Sequence, residues 1–179
     1  QSMSDVATRG GPLMVDPAST SLTLGLNTDR RKMVALRPSV TYEARHLGGY
    51  SWRTELDLQF TPTPSWEIEL SPQYSAQLEP AQYVTRTGDV GFDPTYGRRY
   101  IFSDLERRSF SVQTRVNVAF SPTLTLQLYA QPLISSGDYL TYKQLERAES
   151  FDFDTFEEGQ AVIVDDEVSC SGGRSCLSD

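Results

Sequence analysis

Residues 50–78 contain two runs of alternating apolar and polar side chains that meet at a proline-containing corner. The apolar positions are Tyr50, Trp52, Thr54, Leu56, Leu58 and Phe60, followed by Trp66, Ile68, Leu70, Pro72, Tyr74, Ala76 and Leu78. An alternation of period two predicts β-strands, so we expect a hairpin with one wholly apolar face. Aromatic residues lie at the ends of the apolar rows with aliphatic residues between them. This arrangement is typical of strands that face lipid.

The bulk composition does not reveal this pattern. The 179 residues are 38% hydrophobic, and the mean hydropathy of -0.41 would suit an ordinary globular domain. In a membrane barrel half of each strand faces a polar lumen, so a low average is expected there too. No window approaches the roughly 18 apolar residues of a membrane helix. The net charge of -8 argues against a nucleic-acid partner, which would need a basic stripe.

Six strands are predicted between residues 20 and 133. Their approximate limits are 20–28, 32–45, 50–60, 66–78, 98–120 and 124–132. Residues 98–120 could be divided in two, but Tyr100 and Phe102 share the parity of the apolar positions from Phe110 to Phe120, which favours one long strand. Bulges or bends are expected at Pro38, Pro72 and Pro132, where proline removes a ladder hydrogen bond.

The predicted turns then separate by length. The short turns fall on one rim and the long connections on the other, which is the arrangement of outer-membrane barrels. The short turns are 29–31, 61–65 and 121–123, and the long connections are 46–49, 79–97 and the segment from 134 onward. The fold class predicted is therefore all-β, a partial antiparallel transmembrane β-barrel with short periplasmic turns and long extracellular loops.

Three parts are expected along the chain. Residues 1–19 are predicted to be a loop, residues 20–133 the six-stranded section of an outer-membrane β-barrel, and residues 134–179 a long acidic extracellular loop or tail with a short helix near 142–148. The first residue is Gln1 and the last residues are polar. Because membrane barrels begin at eight strands, we expect an interior piece of a larger polypeptide that supplies the closing strands.

Charged side chains on the polar strand faces are low-ranking candidates for contact with a polar ligand. They are Arg53, Glu55, Asp57, Glu67, Glu69 and Arg115. Paired carboxylates can act as general acid and base, but arginines share this face, so ion-pair ladders are the expected use. The one histidine, His46, lies beside a Gly-Gly turn with no catalytic motif around it. We therefore expect no enzymatic activity and no cofactor.

The last part of the chain carries two further candidate features. Asp152, Asp154, Asp165 and Asp166 could bind Ca²⁺ through carboxylate oxygens, but their spacing does not match an EF-hand, and a solvated acidic loop is the alternative. Cys170 and Cys176 enclose a glycine-containing loop short enough for a local disulfide in an oxidising compartment. Two free thiols in a loop are the other interpretation.

Four segments resemble a family of uncharacterised bacterial outer-membrane proteins. They are Thr-Arg-Gly-Gly-Pro-Leu-Met at 8–14, Ala-Gln-Tyr-Val-Thr at 81–85, Tyr-Gly-Arg-Arg-Tyr at 96–100 and Phe-Ser-Pro-Thr-Leu-Thr-Leu-Gln-Leu-Tyr-Ala-Gln-Pro at 120–132. Members of that family join an N-terminal carbohydrate-binding family 9-like domain to a C-terminal barrel. The resemblance covers about residues 5–156. It implies a Gram-negative outer membrane, an upstream sugar-binding-like domain and further strands on both sides, and it supplies no catalytic residues.

The expected function is that of a portion of an outer-membrane β-barrel with loops at the cell surface. Its partners would be outer-membrane lipid, the remainder of its own polypeptide and a small polar ligand or glycan that is passed or captured. Two alternatives remain open. One is a soluble β-sandwich that binds carbohydrate or protein, with its apolar faces packed on one another. The other is a structural surface-assembly component without transport.

Overall fold

A computed structural model describes residues 2–88 and 92–156, together with the backbone of residues 162–164 and 167–169. The fold is all-β. The strands are β1 Ser2–Ser4, β2 Met14–Asp16, β3 Ser19–Gly25, β4 Val34–Arg45, β5 Tyr50–Thr63, β6 Trp66–Thr87, β7 Arg99–Ser121, β8 Leu124–Ala130, β9 Leu133–Leu145, β10 Phe153–Thr155, β11 Val162–Val164 and β12 Glu167–Ser169. A 3₁₀ turn occupies Asp93–Thr95.

The main sheet is an antiparallel meander that curls into half a barrel. Its order is β3, β4, β5, β6 and β7, after which β8 and β9 both pair with β7, and β10 pairs with β9. The six strands predicted between residues 20 and 133 are confirmed as β3 to β8. The single long strand predicted for residues 98–120 is also confirmed, because β7 runs unbroken from Arg99 to Ser121.

Strands β8 and β9 form one line along β7. Leu128 of β8 lies opposite Val116, and Ile134 of β9 lies opposite Phe110, so the register is the same on both sides of the interruption. A bulge or bend was expected at Pro132, and the structure instead has a two-residue break in the strand at 131–132 without a register shift. The carbonyl of Pro132 still accepts a hydrogen bond from the Val112 amide at 3.2 Å.

The loop predicted from residue 134 onward is wrong over residues 134–145, which belong to β9. The polar run at 135–138 looked like a turn, but it pairs with the equally polar residues 106–109 of β7. The short helix predicted near 142–148 is wrong as well, because residues 142–145 continue β9 and residues 146–148 are not helical. A strand with polar residues on both sides shows no alternation of hydropathy, so its sequence resembles a loop.

The other two prolines also leave the register undisturbed. Pro38 lies opposite Leu56 within an unbroken β4–β5 ladder, so the bulge expected there is wrong. Pro72 lies opposite Val112 in regular register with β7, and on its other side the β5–β6 pairing resumes unshifted. The register shifts lie elsewhere, notably in β6 between residues 79 and 82 and between residues 83 and 85.

Strands β6 and β7 extend well beyond β4 and β5. Tyr50, the first residue of β5, lies opposite Leu78, whereas β6 continues to Thr87. The loop predicted for residues 79–97 is therefore wrong over residues 79–87. The two register shifts break the period-two pattern in this stretch, which explains why the sequence did not reveal the strand.

The buried core of the chain lies in this extension. Phe102 and Leu145 are fully buried and pack with Met14, Ala81 and Tyr100. Four partly buried residues pack against this core: Ala7, Tyr83, Phe151 and Phe153. The ring centroid of Phe102 lies 5.4 Å from that of Phe153 and 6.0 Å from that of Tyr83. The extension is thus a small packed unit at the end of an otherwise open sheet.

The N-terminal residues form part of this unit. The loop predicted for residues 1–19 is wrong at β1 and β2, which pair as a hairpin with Met3 opposite Val15. The amide of Val15 donates to the carbonyl of Ser150 at 3.1 Å, so the hairpin is tied to the segment that follows β9. A Cβ on Gly11 would overlap the ring of Tyr100, which shows how closely the hairpin approaches β7.

Candidate functional site

Below the extension the sheet has one apolar and one polar face, because side chains alternate along each strand. On the apolar face Trp52 lies beside Tyr42, with ring centroids 6.2 Å apart, near the long connections. Tyr74 and Phe110 lie opposite each other in the next row. Trp66 packs near Phe120 at 6.4 Å, close to the short turns. The structure therefore places aromatic residues along both margins of one face.

The residues between the two aromatic rows are mostly aliphatic, and apart from the buried Val118 they range from half-buried to exposed. Leu24 is 64% exposed on β3, Leu70 is 37% exposed on β6 and Leu128 is 52% exposed on β8. On the described strands no charged side chain occupies this face between the two rows. Soluble monomers rarely expose contiguous apolar patches larger than a few hundred Å². In the part of the chain that the structure describes, no element covers this face.

Charged residues reappear on this face immediately above the aromatic row near the long connections. Arg108, two residues from Phe110, donates from Nε to the Glu106 carboxylate at 2.9 Å. This hydrogen bond raises the pKa of the Arg108 guanidinium above its ordinary value, so the group stays protonated. On β7 the apolar band therefore ends at Phe110.

The polar face holds all six of the ligand-contact candidates. Cross-strand ion pairs join Arg37 to Asp57 at 3.4 Å and Arg115 to Glu69 at 3.5 Å, and Arg53 approaches Glu55 at 4.0 Å on the same strand. Glu67 accepts hydrogen bonds from the amides of Gln59 at 3.0 Å and Asn117 at 3.4 Å. The members of these pairs are roughly a third to a half exposed, so each pair contributes only about 0–1 kcal/mol.

The charges on this face nearly cancel. Its arginines are Arg37, Arg45, Arg53, Arg107 and Arg115, and its carboxylates are Glu43, Glu55, Asp57, Glu67, Glu69 and Glu79. Five positive and six negative groups leave a net charge of -1. Shallow depressions of about 200 and 180 Å³ lie between these side chains, the first bordered by Arg37, Asp57 and Glu69.

A larger cavity of about 550 Å³ lies at the rim of the long connections. It is enclosed by the β1–β2 hairpin, the ends of β4 and β6, and Phe151. Arg45 forms an ion pair with Glu79 at its edge, and the Arg9 guanidinium lies 4.7 Å from the centroid of the Tyr83 ring. The sequence did not predict this cavity, because residues 1–19 and 79–97, which supply most of its lining, were both interpreted as loops. The alternation of Ala81 and Tyr83 was the one signal that could have suggested a packed wall.

The two calcium candidates that the structure describes, Asp152 and Asp154, do not form a metal site. Asp152 accepts a hydrogen bond from Arg147 at 2.7 Å, and Asp154 accepts one from Gln144 at 3.1 Å. Asp165 and Asp166 lie outside the described residues, as do Cys170 and Cys176. Within the described ranges no three His, Cys, Asp or Glu side chains form a group that could hold a metal ion. The calcium and disulfide assignments stay predictions.

Across residues 2–88 and 92–156, no helix is long and apolar enough to cross a membrane. Comparisons of the chain with protein-family models, with curated proteins and with solved structures gave no match. The family membership expected from the four similar segments therefore stays a prediction.

Proposed function

We propose that this chain is part of the wall of a β-barrel in a Gram-negative outer membrane. The observation that carries the proposal is the uncharged, uncovered apolar face with aromatic residues along both margins. On β5 the margins are Tyr50 and Phe60, ten residue steps apart. At about 3.3 Å per step and a tilt near 45°, they are separated by about 23 Å along the membrane normal. The apolar band of such barrels is about 25 Å tall.

The lengths of the connections give the orientation of the chain in this proposal. Residues 64–65 and 122–123 link their strands by short turns at one rim, which is typical of the periplasmic side. The connection at 88–98 and the packed extension lie at the other rim, which becomes the cell surface. The cavity beside Arg9 and Tyr83 then opens on the outside of the cell.

The free edges of the sheet indicate what must complete the barrel. Among the described residues, strand β3 pairs only with β4, and β8 pairs only with β7. Within lipid every backbone amide and carbonyl must be hydrogen-bonded, so both edges need further strands. Strand β3 runs toward the short-turn rim and β8 runs away from it. An even number of additional strands, supplied by the rest of the polypeptide, closes the sheet with antiparallel pairs throughout.

The polar face suggests which class of ligand the barrel handles. Arginines and carboxylates alternate across neighbouring strands, with Arg37 beside Asp57 and Arg115 beside Glu69. A nearly neutral lining rich in hydrogen-bonding groups suits an uncharged polar solute, such as a sugar, better than an ion of one sign. The proposed role is passage or surface capture of a small polar ligand or glycan, without catalysis.

Planar-bilayer recordings on the polypeptide that carries the closing strands test this role. We expect stepwise conductance with weak ion selectivity, because the charges on the polar face nearly cancel. The double variant Glu67→Gln, Glu69→Gln should shift the selectivity toward anions, since it leaves Arg115 without its carboxylate. Replacing Asp138, which shares the opposite face with Glu106, by asparagine is the matched control and should change nothing.

Protein that inserts in bilayers without conductance would contradict passage and would favour a structural surface component. Protein that remains in solution without detergent would contradict the membrane proposal itself and would favour a β-sandwich.

A further inference from the structure

The rim cavity contains a cationic group that lies against an aromatic ring and has no acidic partner among the described residues. Arg9 lies over the Tyr83 ring at 4.7 Å from its centroid. Among the described residues no carboxylate lies within ion-pair distance of Arg9. A guanidinium stacked on a ring keeps its N–H donors in its own plane, where they can bind a carboxylate through two parallel hydrogen bonds.

The backbone around Arg9 holds this arrangement. Arg9 adopts φ +53°, a left-handed conformation that is uncommon for a residue with a side chain. Its amide donates to the Val6 carbonyl at 3.1 Å, and the buried hydroxyl of Thr8 bonds to the carbonyls of Asp5 at 3.0 Å and Pro12 at 2.8 Å. The backbone of the turn is therefore held by its own hydrogen bonds, so the segment that carries the exposed Arg9 side chain needs little ordering when a ligand binds.

Of the other charged groups of the cavity, Arg45 and Glu79 pair with each other, whereas the Asp16 carboxylate keeps its negative charge and has only a hydroxyl as its described partner. That hydroxyl belongs to Ser2 and donates to Asp16 at 3.2 Å. The remaining lining is largely apolar. Its apolar residues are Val6, Ala7, Met14, Val15, Pro17, Ala81 and Phe151, and its polar residues are Ser4 and Gln82. The cavity thus combines one available guanidinium with apolar walls and a volume of about 550 Å³, within the range of small-molecule sites.

We propose that this cavity binds a small organic carboxylate with an apolar body, whose carboxylate is bound by Arg9 and whose body lies against the wall of Val6, Met14 and Phe151. A sugar suits the cavity less well, because the Tyr83 ring is covered by Arg9 and Phe151 packs edge-on against Phe153 at 5.1 Å. This ligand class differs from the uncharged solute proposed for the polar face. The inference does not depend on membrane insertion.

Binding of 4-phenylbutyrate to the full chain in detergent, followed by ligand-observed NMR, tests the proposal. 4-Phenylbutanol has the same apolar body without the charge. We expect millimolar or tighter binding of the carboxylate and at least roughly tenfold weaker binding of the alcohol, since a charged hydrogen bond is lost. Equal binding of the two compounds would overturn the assignment of the carboxylate to Arg9.

Two variants locate the binding site. Arg9→Met should weaken 4-phenylbutyrate binding roughly tenfold to a hundredfold, whereas Arg31→Met, an exposed arginine in the turn at the opposite rim, should leave it unchanged. Val6→Trp should block the cavity without removing a charge, because Val6 is 80% exposed at its mouth. Partitioning into micelles affects all variants equally. Unchanged binding in both Arg9→Met and Val6→Trp, or no binding by the unaltered chain, would overturn the proposal.

Discussion

Replacement of Phe102 by alanine is expected to lower the free energy of unfolding by about 3–5 kcal/mol, the range measured for buried Phe truncations. Phe102 is fully buried, and its ring contacts Tyr83 and Phe153. Phe102 and these two neighbours come from three different strands, so the surrounding structure has little freedom to fill the space. Urea unfolding monitored by tryptophan fluorescence measures the loss.

The matched control is Phe110→Ala on the same strand. Phe110 is 46% exposed on the apolar face, so its truncation leaves no enclosed cavity and should cost less than Phe102→Ala. Equal losses for the two variants would contradict the location of the core. A loss in Phe102→Ala that disappears when residues 1–17 are deleted would show that the N-terminal hairpin completes this core.

Replacement of Leu70 by arginine is expected to destabilise insertion in lipid vesicles by about 2–4 kcal/mol, the cost of an arginine at the bilayer midplane on a barrel wall. Leu70 lies midway between Trp66 and Tyr74 on the apolar face of β6, opposite Leu58 and Thr114. The measurement is the free energy of unfolding from vesicles, in the polypeptide that carries the closing strands.

Two further arginine variants make this prediction specific to lipid. Ser71→Arg places the charge on the polar face beside Asp57 and should cost much less. Ala76→Arg lies on the apolar face in the row of Trp52, near the proposed interface, where the cost falls to about 0–1 kcal/mol. If this face packed against protein instead of lipid, Leu70→Arg and Ala76→Arg would lower the free energy of unfolding by similar amounts. Equal costs at these two depths would therefore contradict the lipid-facing assignment.

The strands that could be predicted from the sequence are those with one apolar and one polar side. Strands β4 and β5 alternate throughout, and their observed ladder joins residues of the same predicted face, such as Tyr42 and Trp52. Strand β7 was predicted as a single unit from parity alone, although its middle at residues 104–108 is polar. The polar-face candidates could be placed together for the same reason, because residues of like parity share a face.

The parts that could not be predicted lack this alternation. Strand β9 is polar on both sides at residues 135–138, and it is stabilised by pairing with β7, which local sequence does not encode. In β6 two register shifts beyond Glu79 change which side chains face the core. The β1–β2 hairpin has strands of only three residues around a Gly-Gly-Pro turn. The rim cavity is built from the last two of these regions together with Arg45 and Phe151, so it became visible only with the tertiary structure.

The central claim, that the apolar face lies against lipid, is tested most directly by the two tryptophans. Trp52 and Trp66 are the chain's only tryptophans, and each is 42% exposed on that face at opposite margins of the band. The variants Trp52→Phe and Trp66→Phe leave one reporter each, and vesicles with nitroxide-labelled lipids report its depth. We expect both to be quenched by lipid-borne labels, more strongly by a label near the headgroup than by one at the bilayer centre. Quenching of both tryptophans by aqueous acrylamide, with none from the labelled lipids, would contradict a lipid-facing wall.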